Sequence, residues 1–349
     1  MFDFLADPAF SVRNMTRYIR RMPNVYGRLA QMGLFMPETT HLPFVEIEIE
    51  RETMSIIPVS ARGTPAPRSS GSKRETRNLN LLRIALDDYI NADALAGRRE
   101  AGTQNELMHP LREIGKRMAK VGVQQFQTLE FLKWGVLKGN VYDADGARLL
   151  YNVYDLMGEQ QATIEFALDA TTFDPVDQAK RETVRFVEQN LQGDTLSGYH
   201  WFCGPTFFDR MVKNPAVRET YKYFGANPAN PLVSGVSNIF IHCGMVFEEH
   251  NGVVSYKRPD GTVVTHKFIA DDEAIGVPLG TQFTFTTYYG PADFIHTVNQ
   301  EPEDDGSQTY LYAMVKPTPD DRGLQLYTQQ APLPMCLHPR LILKGSIPA

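Results

Sequence analysis

Cysteine is scarce in this 349-residue sequence, which contains only Cys203, Cys243 and Cys336. An odd number of widely spaced cysteines gives no disulfide framework, and this usage is typical of proteins from a reducing compartment. We therefore expect all three to be buried, small apolar side chains.

Long hydrophobic runs are also missing. The longest, residues 236–247, is interrupted by Asn238, His242 and Gly244 and is shorter than the roughly 20 residues that a membrane span needs. The amino terminus, MFDFLADPAF, has acidic residues where a secretory signal has basic ones, and no long apolar segment precedes Arg13. The sequence predicts no transmembrane helix, no membrane partner and a protein that stays in the cytoplasm where it is made.

Positive charge is in deficit, because 35 Lys and Arg stand against 41 Asp and Glu, a net charge of −6. Proteins that bind the nucleic-acid backbone usually carry a basic excess. Sequence-specific DNA binding is therefore not expected.

The common nucleotide-binding, zinc-protease and hydrolase motifs are absent as well. The best metal candidate combines His200 and Cys203 with His242 and Cys243, but adjacent strand residues point to opposite faces, so the last two are not expected to share one ion. A nucleophile pair using Cys203 or Cys243 stays open, although nothing marks either thiol as activated. We predict no catalytic residue, no metal and no cofactor.

The strongest pattern present is a long amphipathic helix over residues 105–138. Its apolar residues recur at steps of three and four; they are Leu107, Leu111, Ile114, Met118, Val121, Leu129, Leu132 and Val136. The opposite face carries Arg112, Glu113, Lys116, Arg117, Lys120, Glu130 and Lys133, and is predicted to lie on a surface. Lys138-Gly139 is a stop signal, and residues 140–154 then predict a hairpin around Ala144-Asp145-Gly146.

Two basic segments precede this helix. A helix over residues 10–21 has a basic face made of Arg13, Arg17, Arg20 and Arg21. From Pro43, apolar residues alternate with glutamates, which predicts a half-buried strand. Residues 60–77 contain no large apolar residue and five basic ones, Arg62, Arg68, Lys73, Arg74 and Arg77. Composition alone favours a disordered linker, but the apolar segment 78–86 favours a strand, a flexible tip and a returning strand. Such an arm is marginal alone and needs a neighbour.

The remaining patterns mix helices and strands. Residues 87–95 predict a short acidic helix, and residues 160–168 a strand or short helix. Asp174 and Pro175 begin a capped helix, followed by a buried strand, a helix over residues 206–212 and another from Pro215. Asn251-Gly252 and Asp260-Gly261 predict a meander of three strands. The tail is strand-like, so the class is α+β.

This order of elements resembles the major capsid proteins of tailed bacteriophages, and in detail the phage lambda major capsid (gpE-like, phage capsid E) family. The residues that carry the resemblance are FLKWGVLKGNVYDADG at 131–146, Phe173-Asp174-Pro175, and GLQLYTQQAPLPMCLHPR at 323–340. Gln330 stands where that family usually has a serine.

The resemblance implies the Hong Kong 97 type of tailed-phage capsid fold. Its parts would be an N-terminal arm at 1–42, an extended loop at 43–92, a peripheral domain with the spine helix and hairpin at 93–174, an axial domain at 175–305, and C-terminal strands at 306–349 that return to the peripheral domain. The basic residues of the arm and of the loop would then lie at subunit interfaces.

The resemblance also implies a function. The chain would assemble as pentamers and hexamers into the icosahedral head of a virion, made in the host cytoplasm and filled with double-stranded DNA that it does not read. A scaffold, a portal and in some relatives a decoration protein are the implied partners. Two alternatives stay open: an encapsulin-like nanocompartment shell, and a cytosolic α+β enzyme using Cys203 or His200.

Overall fold

The computed structural model describes residues 27–50, 74–95, 110–170, 172–191, 193–223, 239–258, 260–298, 300–302, 310–320 and 322–348. Its helices are α1 (Arg28–Met32), α2 (Ala92–Leu95), α3 (Pro110–Lys138), α4 (Val153–Met157), α5 (Pro175–Asn190), α6 (Pro205–Lys213) and α7 (Pro215–Tyr223), with a short 3-10 helix at Pro339–Leu341. None of these helices combines the length and the apolar composition that a membrane crossing requires.

The strands are β1 (Met36–Thr39), β2 (Phe44–Glu50), β3 (Arg74–Asn80), β4 (Ile84–Asn91), β5 (Asn140–Tyr142), β6 (Leu149–Asn152), β7 (Ala162–Glu165), β8 (Gly198–Cys203), β9 (Ile239–His242), β10 (Met245–Glu249), β11 (Val253–Lys257), β12 (Val263–Lys267), β13 (Ala274–Leu279), β14 (Phe285–Tyr289), β15 (Tyr312–Pro317), β16 (Gly323–Gln330), β17 (Pro332–Cys336) and β18 (Leu343–Ser346).

The strands form one large sheet and several small ones. The large sheet has six strands in the order β7-β18-β13-β8-β10-β9. Two three-stranded sheets have the orders β15-β16-β4 and β1-β14-β17, and β2-β3, β5-β6 and β11-β12 are antiparallel pairs. Helices and mostly antiparallel strands are thus mixed along the chain, which confirms the predicted α+β class.

Helix α3 is the predicted spine, and its apolar stripe serves successive cores. Ile114 and Met118 are buried against the sheet of β4, β15 and β16. Leu132 and Val136 are buried in a second core with β14 and β17. The helix ends at Lys138 as predicted, because Gly139 adopts a left-handed φ of +84° and its N–H donates to the carbonyl of Val136.

Two charged residues of α3 do not lie on the surface that the sequence predicts. Glu130 is 2% exposed and Lys133 is 8% exposed, because α1 and Phe35 cover this side of the helix. Burial lowers the pKa of Lys133 to about 8 despite the nearby Glu130 carboxylate. The carboxy-terminal half of α3 is therefore interior on both of its faces, and only the amino-terminal half is a surface helix.

Local sequence signals were confirmed where they were strong. The hairpin β5-β6 forms around the predicted turn, with Gly146 at a φ of +70°. Helix α5 begins at Pro175, and the Asp174 carboxylate accepts hydrogen bonds from the amides of Val176 and Asp177. The strand and the two proline-initiated helices that follow are β8, α6 and α7.

Two predictions were wrong. The acidic helix at 87–95 is reduced to α2, because Asp87–Asn91 belong to β4 and pair with β16. The three-strand meander fails at Asn251-Gly252, because β10 pairs with β8 and β9 while β11 pairs only with β12 among the described strands. Strand β16, the partner of β4, and strand β8, one partner of β10, both lie far away in sequence, so a local pattern could not identify them. The short connection between β9 and β10 was missed as well.

The packing of α3 generates a first prediction. Met118→Asp would bury a charge in the core of β4, β15 and β16 without a partner, at a cost of several kcal/mol. We expect insoluble protein, or a subunit whose midpoint in urea falls sharply.

The control is Val123→Asp, since Val123 lies on the same helix but is 47% exposed. That variant should purify normally. Well-folded Met118→Asp subunits would show that the register of α3 against β4 and β16 is wrong.

Candidate assembly surfaces

The base of the predicted extended loop is a regular two-stranded ribbon. Strands β2 and β3 are antiparallel, from the Phe44–Asn80 pair to the Glu50–Arg74 pair. Ile47 is 7% exposed and belongs to the same core as Leu132 and Val136 of α3. The subunit's own core therefore anchors the start of this ribbon.

The basic loop residues predicted to lie at a subunit interface divide between those the structure describes and those it does not. Arg77 donates hydrogen bonds to the carbonyl of Asp155 at 2.9 Å and to the carboxylate of Glu75. It is thus engaged within its own chain and fastens β3 to α4. Arg74 is described only by its backbone pairing, and Arg62, Arg68 and Lys73 lie outside the described residues. The arm residues Arg13, Arg17, Arg20 and Arg21 also lie outside them.

Helix α1 packs on α3 through a buried polar contact that the sequence did not predict. The buried Glu130 carboxylate of α3 accepts hydrogen bonds from the amides of Leu29 and Ala30, at 2.8 and 3.3 Å, and so caps α1. Gly27 lies against this carboxylate with a φ of +101°, and an added Cβ would approach it to 2.3 Å. Only glycine fits there. Burial raises the pKa of Glu130, and the two amide hydrogen bonds act in the opposite direction.

A second ionic contact ties α1 to the large sheet. Arg28 binds both carboxylate oxygens of Glu248 on β10, at 2.7 and 2.9 Å. The imidazole Nε2 of His200 lies 3.1 Å from the same carboxylate. Burial alone would raise the pKa of Glu248, but His200 and Arg28 outweigh it and lower the pKa to about 2. Helix α1 is therefore held both to α3 and to β10.

A surface groove of about 440 Å³ runs between β4 and α3. Acidic and basic side chains both line this groove. The lining residues are Leu86, Asp87, Asp88, Glu113, Lys116, Arg117, Lys120, Val121 and Gln124. Arg117 bridges the two elements by binding Asp88 and Glu113, each at 3.0 Å. Among the described strands β4 pairs only with β16, so it is an edge strand of its sheet, and three of its residues line the groove.

Several large apolar side chains are exposed in the isolated chain. Ile295 is 85% exposed, Phe283 is 64% exposed, and Ile241 and Val263 are both 59% exposed. Such side chains mark a partner surface when they form a contiguous patch, whereas single ones are normal on a protein surface.

The candidate nucleophiles are poorly placed for chemistry. Cys203 is fully buried, and burial raises the pKa of its thiol well above the usual range. His200 is 4% exposed and lies against Glu248, away from Cys203's face of β8. This arrangement fits a packed core, and a thiol with a raised pKa is a poor nucleophile.

Cys243 does not follow the sequence prediction. It is only partly buried, and it lies beside His242, whereas residues on one strand would alternate. The reason is that β9 ends at His242, and Cys243 occupies the following turn with a left-handed φ of +53°. The two side chains therefore meet near Asp174.

The comparisons with known proteins match this arrangement over nearly the whole chain. The family model described as "Phage major capsid protein E" matches residues 11–347. The chain belongs to this family. It is a major capsid protein, and the resemblance read from its sequence is confirmed. The family is structural, so a role as a cytosolic enzyme is not favoured.

Two curated relatives support the assignment. The major capsid protein of Pseudomonas phage KPP10 is 22% identical over 350 residues and is matched over 96% of each chain. That of Salmonella phage Felix O1 is 25% identical, with 96% of this chain and 95% of the relative covered.

Solved structures show that the fold is the tailed-phage capsid fold. A capsid protein from a prophage of E. coli CFT073 superposes with a TM-score of 0.56 at 15% identity, covering 97% of this chain and 99% of that one. The capsid of cyanophage P-SCSP1u gives a TM-score of 0.51 at 11% identity, with 90% and 86% covered. The predicted fold class is confirmed.

The Glu248 contact generates a second prediction. Because its folded pKa of about 2 lies below the ordinary 4.5, this carboxylate stabilises the subunit above pH 4.5 and loses that contribution as the pH falls toward 2. A shift of this size corresponds to about 3 kcal/mol. Urea unfolding of isolated subunits should show a steeper loss of stability in this range for the wild type than for Glu248→Gln.

Glu249→Gln, one residue further along β10, is the matched control and should follow the wild type. Parallel curves for the wild type and Glu248→Gln would contradict the proposed role of Arg28 and His200.

Proposed function

We propose that this capsid protein assembles as pentamers and hexamers into the icosahedral head of a tailed phage, enclosing double-stranded DNA. The observation that carries the proposal is the ribbon of β2 and β3, whose base is anchored in the subunit core through Ile47 while 23 residues separate Glu50 from Arg74. Those residues include Arg62, Arg68 and Lys73 and no large apolar side chain after residue 59. A connection of this kind needs a surface outside its own core.

We infer that the loop crosses to a neighbouring subunit. Each subunit in a ring gives one loop and receives one, so weak contacts add once the ring forms. The groove between β4 and α3 supports this exchange, because it offers the exposed Asp87 carboxylate on β4, which is an edge strand within the described part of the chain. Exposed apolar residues such as Ile295 and Phe283 would be covered in the same shell.

The predicted division into parts stays a proposal. It is supported by a core that the large sheet forms with α5, α6 and α7, in addition to the cores that lie along α3. The large sheet of the proposed axial part would then contain two strands from outside residues 175–305. These are β7 and β18, which pair with each other, and β18 also pairs with β13.

Scaffold, portal and decoration proteins remain proposed partners. We also propose that the head assembles in the host cytoplasm. The net charge of −6 is consistent with an inner wall along which DNA slides without adhering. The contents of purified particles separate this proposal from a nanocompartment: packaged DNA supports a phage head, and an enzyme cargo supports a nanocompartment.

The loop gives the main experiment. Residues 51–73 are replaced by an Asn-Gly turn, which joins the paired residues Glu50 and Arg74 in a tight hairpin. We expect soluble subunits that still unfold cooperatively but no longer sediment as large particles, because the ribbon base is intact and the exchanged contacts are gone.

A variant in which residues 51–73 become a Gly-Ser segment of equal length is the matched control. If the side chains of residues 51–73 make the contacts with the neighbouring subunit, this variant should also fail to assemble. If only the length of the connection matters, it should form particles. Particles of normal size from the Asn-Gly variant would overturn the proposed exchange.

The basic arm gives the next prediction. Reversal of two charges, Arg17→Glu with Arg20→Glu, should weaken assembly most at low salt, because ions screen such contacts at high salt. Light scattering during assembly at two salt concentrations measures the effect.

Arg17→Lys with Arg20→Lys retains the charge and serves as the control. A defect of equal size at both salt concentrations would argue against an electrostatic role for the arm.

A further inference from the structure

Three side chains with metal-binding chemistry converge at the start of α5. One donor atom from each of Asp174, His242 and Cys243 lies within 4.8 Å of the other two. The carboxylate oxygen Oδ2 of Asp174 lies 2.7 Å from Nε2 of His242. Its other oxygen, Oδ1, accepts the amide hydrogen bond of Val176 at 2.9 Å. The helix cap therefore orients the carboxylate so that one oxygen is directed at the imidazole.

The thiol reaches this place through the turn between β9 and β10. His242 pairs with Met245 across the two strands, so Cys243 and Gly244 form a two-residue connection. Both have positive φ, +53° and +76°, which is the pattern of a type I′ turn. Asparagine is favoured at the first position of such a turn. The cysteine at this position brings a sulfur atom beside His242 instead.

The surroundings of the cluster favour a bound ion over solvated groups. The side chain of His242 is 3% exposed and that of Asp174 is 12% exposed. Cys243 is only half-buried, so an ion can enter from its side. A protein site this dry holds an ion more firmly than an exposed one, because water competes less for the ligands.

We propose that Asp174, His242 and Cys243 form a binding site for a divalent cation of the zinc class. A thiolate, an imidazole nitrogen and a carboxylate oxygen are the donors that zinc prefers. Zinc bonds of about 2.0–2.3 Å place neighbouring donor atoms roughly 3.5 Å apart in a tetrahedron. The Asp174–His242 contact opens slightly and the thiol moves inward to reach that geometry. Three protein ligands leave the fourth position to water.

Ion binding exchanges protons for metal. The cation takes the place of the proton shared by His242 and Asp174, and the Cys243 thiol loses its proton on becoming a ligand. No oxidant or reductant is required. The bound ion would fasten β9, an edge strand of the large sheet, to the start of α5. Because only the folded chain assembles the three ligands, binding stabilises the subunit.

Cobalt(II) is the probe, because a cobalt–thiolate bond produces a charge-transfer absorption that zinc lacks. The full-length protein is treated with a chelator, kept reduced with a phosphine, and titrated with Co²⁺. We expect a thiolate charge-transfer band and tetrahedral ligand-field bands that saturate at one cobalt per subunit and disappear when Zn²⁺ is added. Zn²⁺ should also raise the melting temperature.

Two variants test the ligands without disturbing the fold. Cys243→Asn suits the type I′ turn and should lose the charge-transfer band and the zinc-dependent rise in melting temperature. Asp174→Asn keeps a good helix cap but loses the negative charge, and should bind cobalt roughly tenfold more weakly or worse. Cys203→Ala, at a buried thiol outside the cluster, should behave like the wild type.

The absence of a charge-transfer band in the wild type would overturn the proposal. So would a band, or a zinc-dependent shift in melting temperature, that persists in Cys243→Asn, since the cation would then bind elsewhere.

Discussion

One helix has to supply buried surface to more than one core, and this constraint organises the subunit. The stripe of α3 begins against β4, β15 and β16 at Ile114 and Met118. It continues past Leu129, which packs with Tyr289 and Tyr310, and ends at Leu132 and Val136 beside β14 and β17. Because a straight helix keeps one stripe in line, these contacts follow one side of α3, and α1 and Phe35 cover its other side near Glu130. Strands that are distant from α3 in sequence, namely β4, β14, β15, β16 and β17, therefore pack against it.

The second half of α3 adds a polar constraint. Glu130 is buried, and its carboxylate would be costly there without the amide hydrogen bonds of Leu29 and Ala30. Gln125 is also buried, and its side-chain amide donates to the hydroxyl of Thr328 on β16. These contacts specify which segments lie against the helix, since an apolar surface alone accepts many partners.

The large sheet receives buried contacts on both of its faces. Successive residues of β8 point to opposite sides, so Trp201 packs with Phe166 and Phe247, while Phe202 packs with Trp134 of α3. Strand β18, near the end of the chain, fits between β7 and β13. A sheet buried on both sides and closed by the tail is a rigid support. The base of the β2-β3 ribbon joins the interior through Ile47, and β4 contributes Ile90 to the core beside α3.

Elements with a local sequence signal could be predicted from the amino-acid sequence. Periodicity placed α3 and its end at Lys138, Asp174 and Pro175 marked the start of α5, and Ala144-Asp145-Gly146 marked the turn between β5 and β6. These features depend on interactions between residues three or four positions apart, so they can be predicted from the sequence alone. The order of such elements was enough to indicate the family.

Features that depend on partners far away in sequence became visible in the folded chain alone. Asp87 and Asp88 are strand residues because β16 pairs with them from about 240 positions away, and Glu130 is buried because α1 lies over it. His242 and Cys243 meet Asp174 because the turn between β9 and β10 reverses the expected alternation, and because α5 happens to begin beside it. Long-range pairing and a left-handed turn leave no periodic trace in a single sequence, since each is fixed by the free energy of the whole fold.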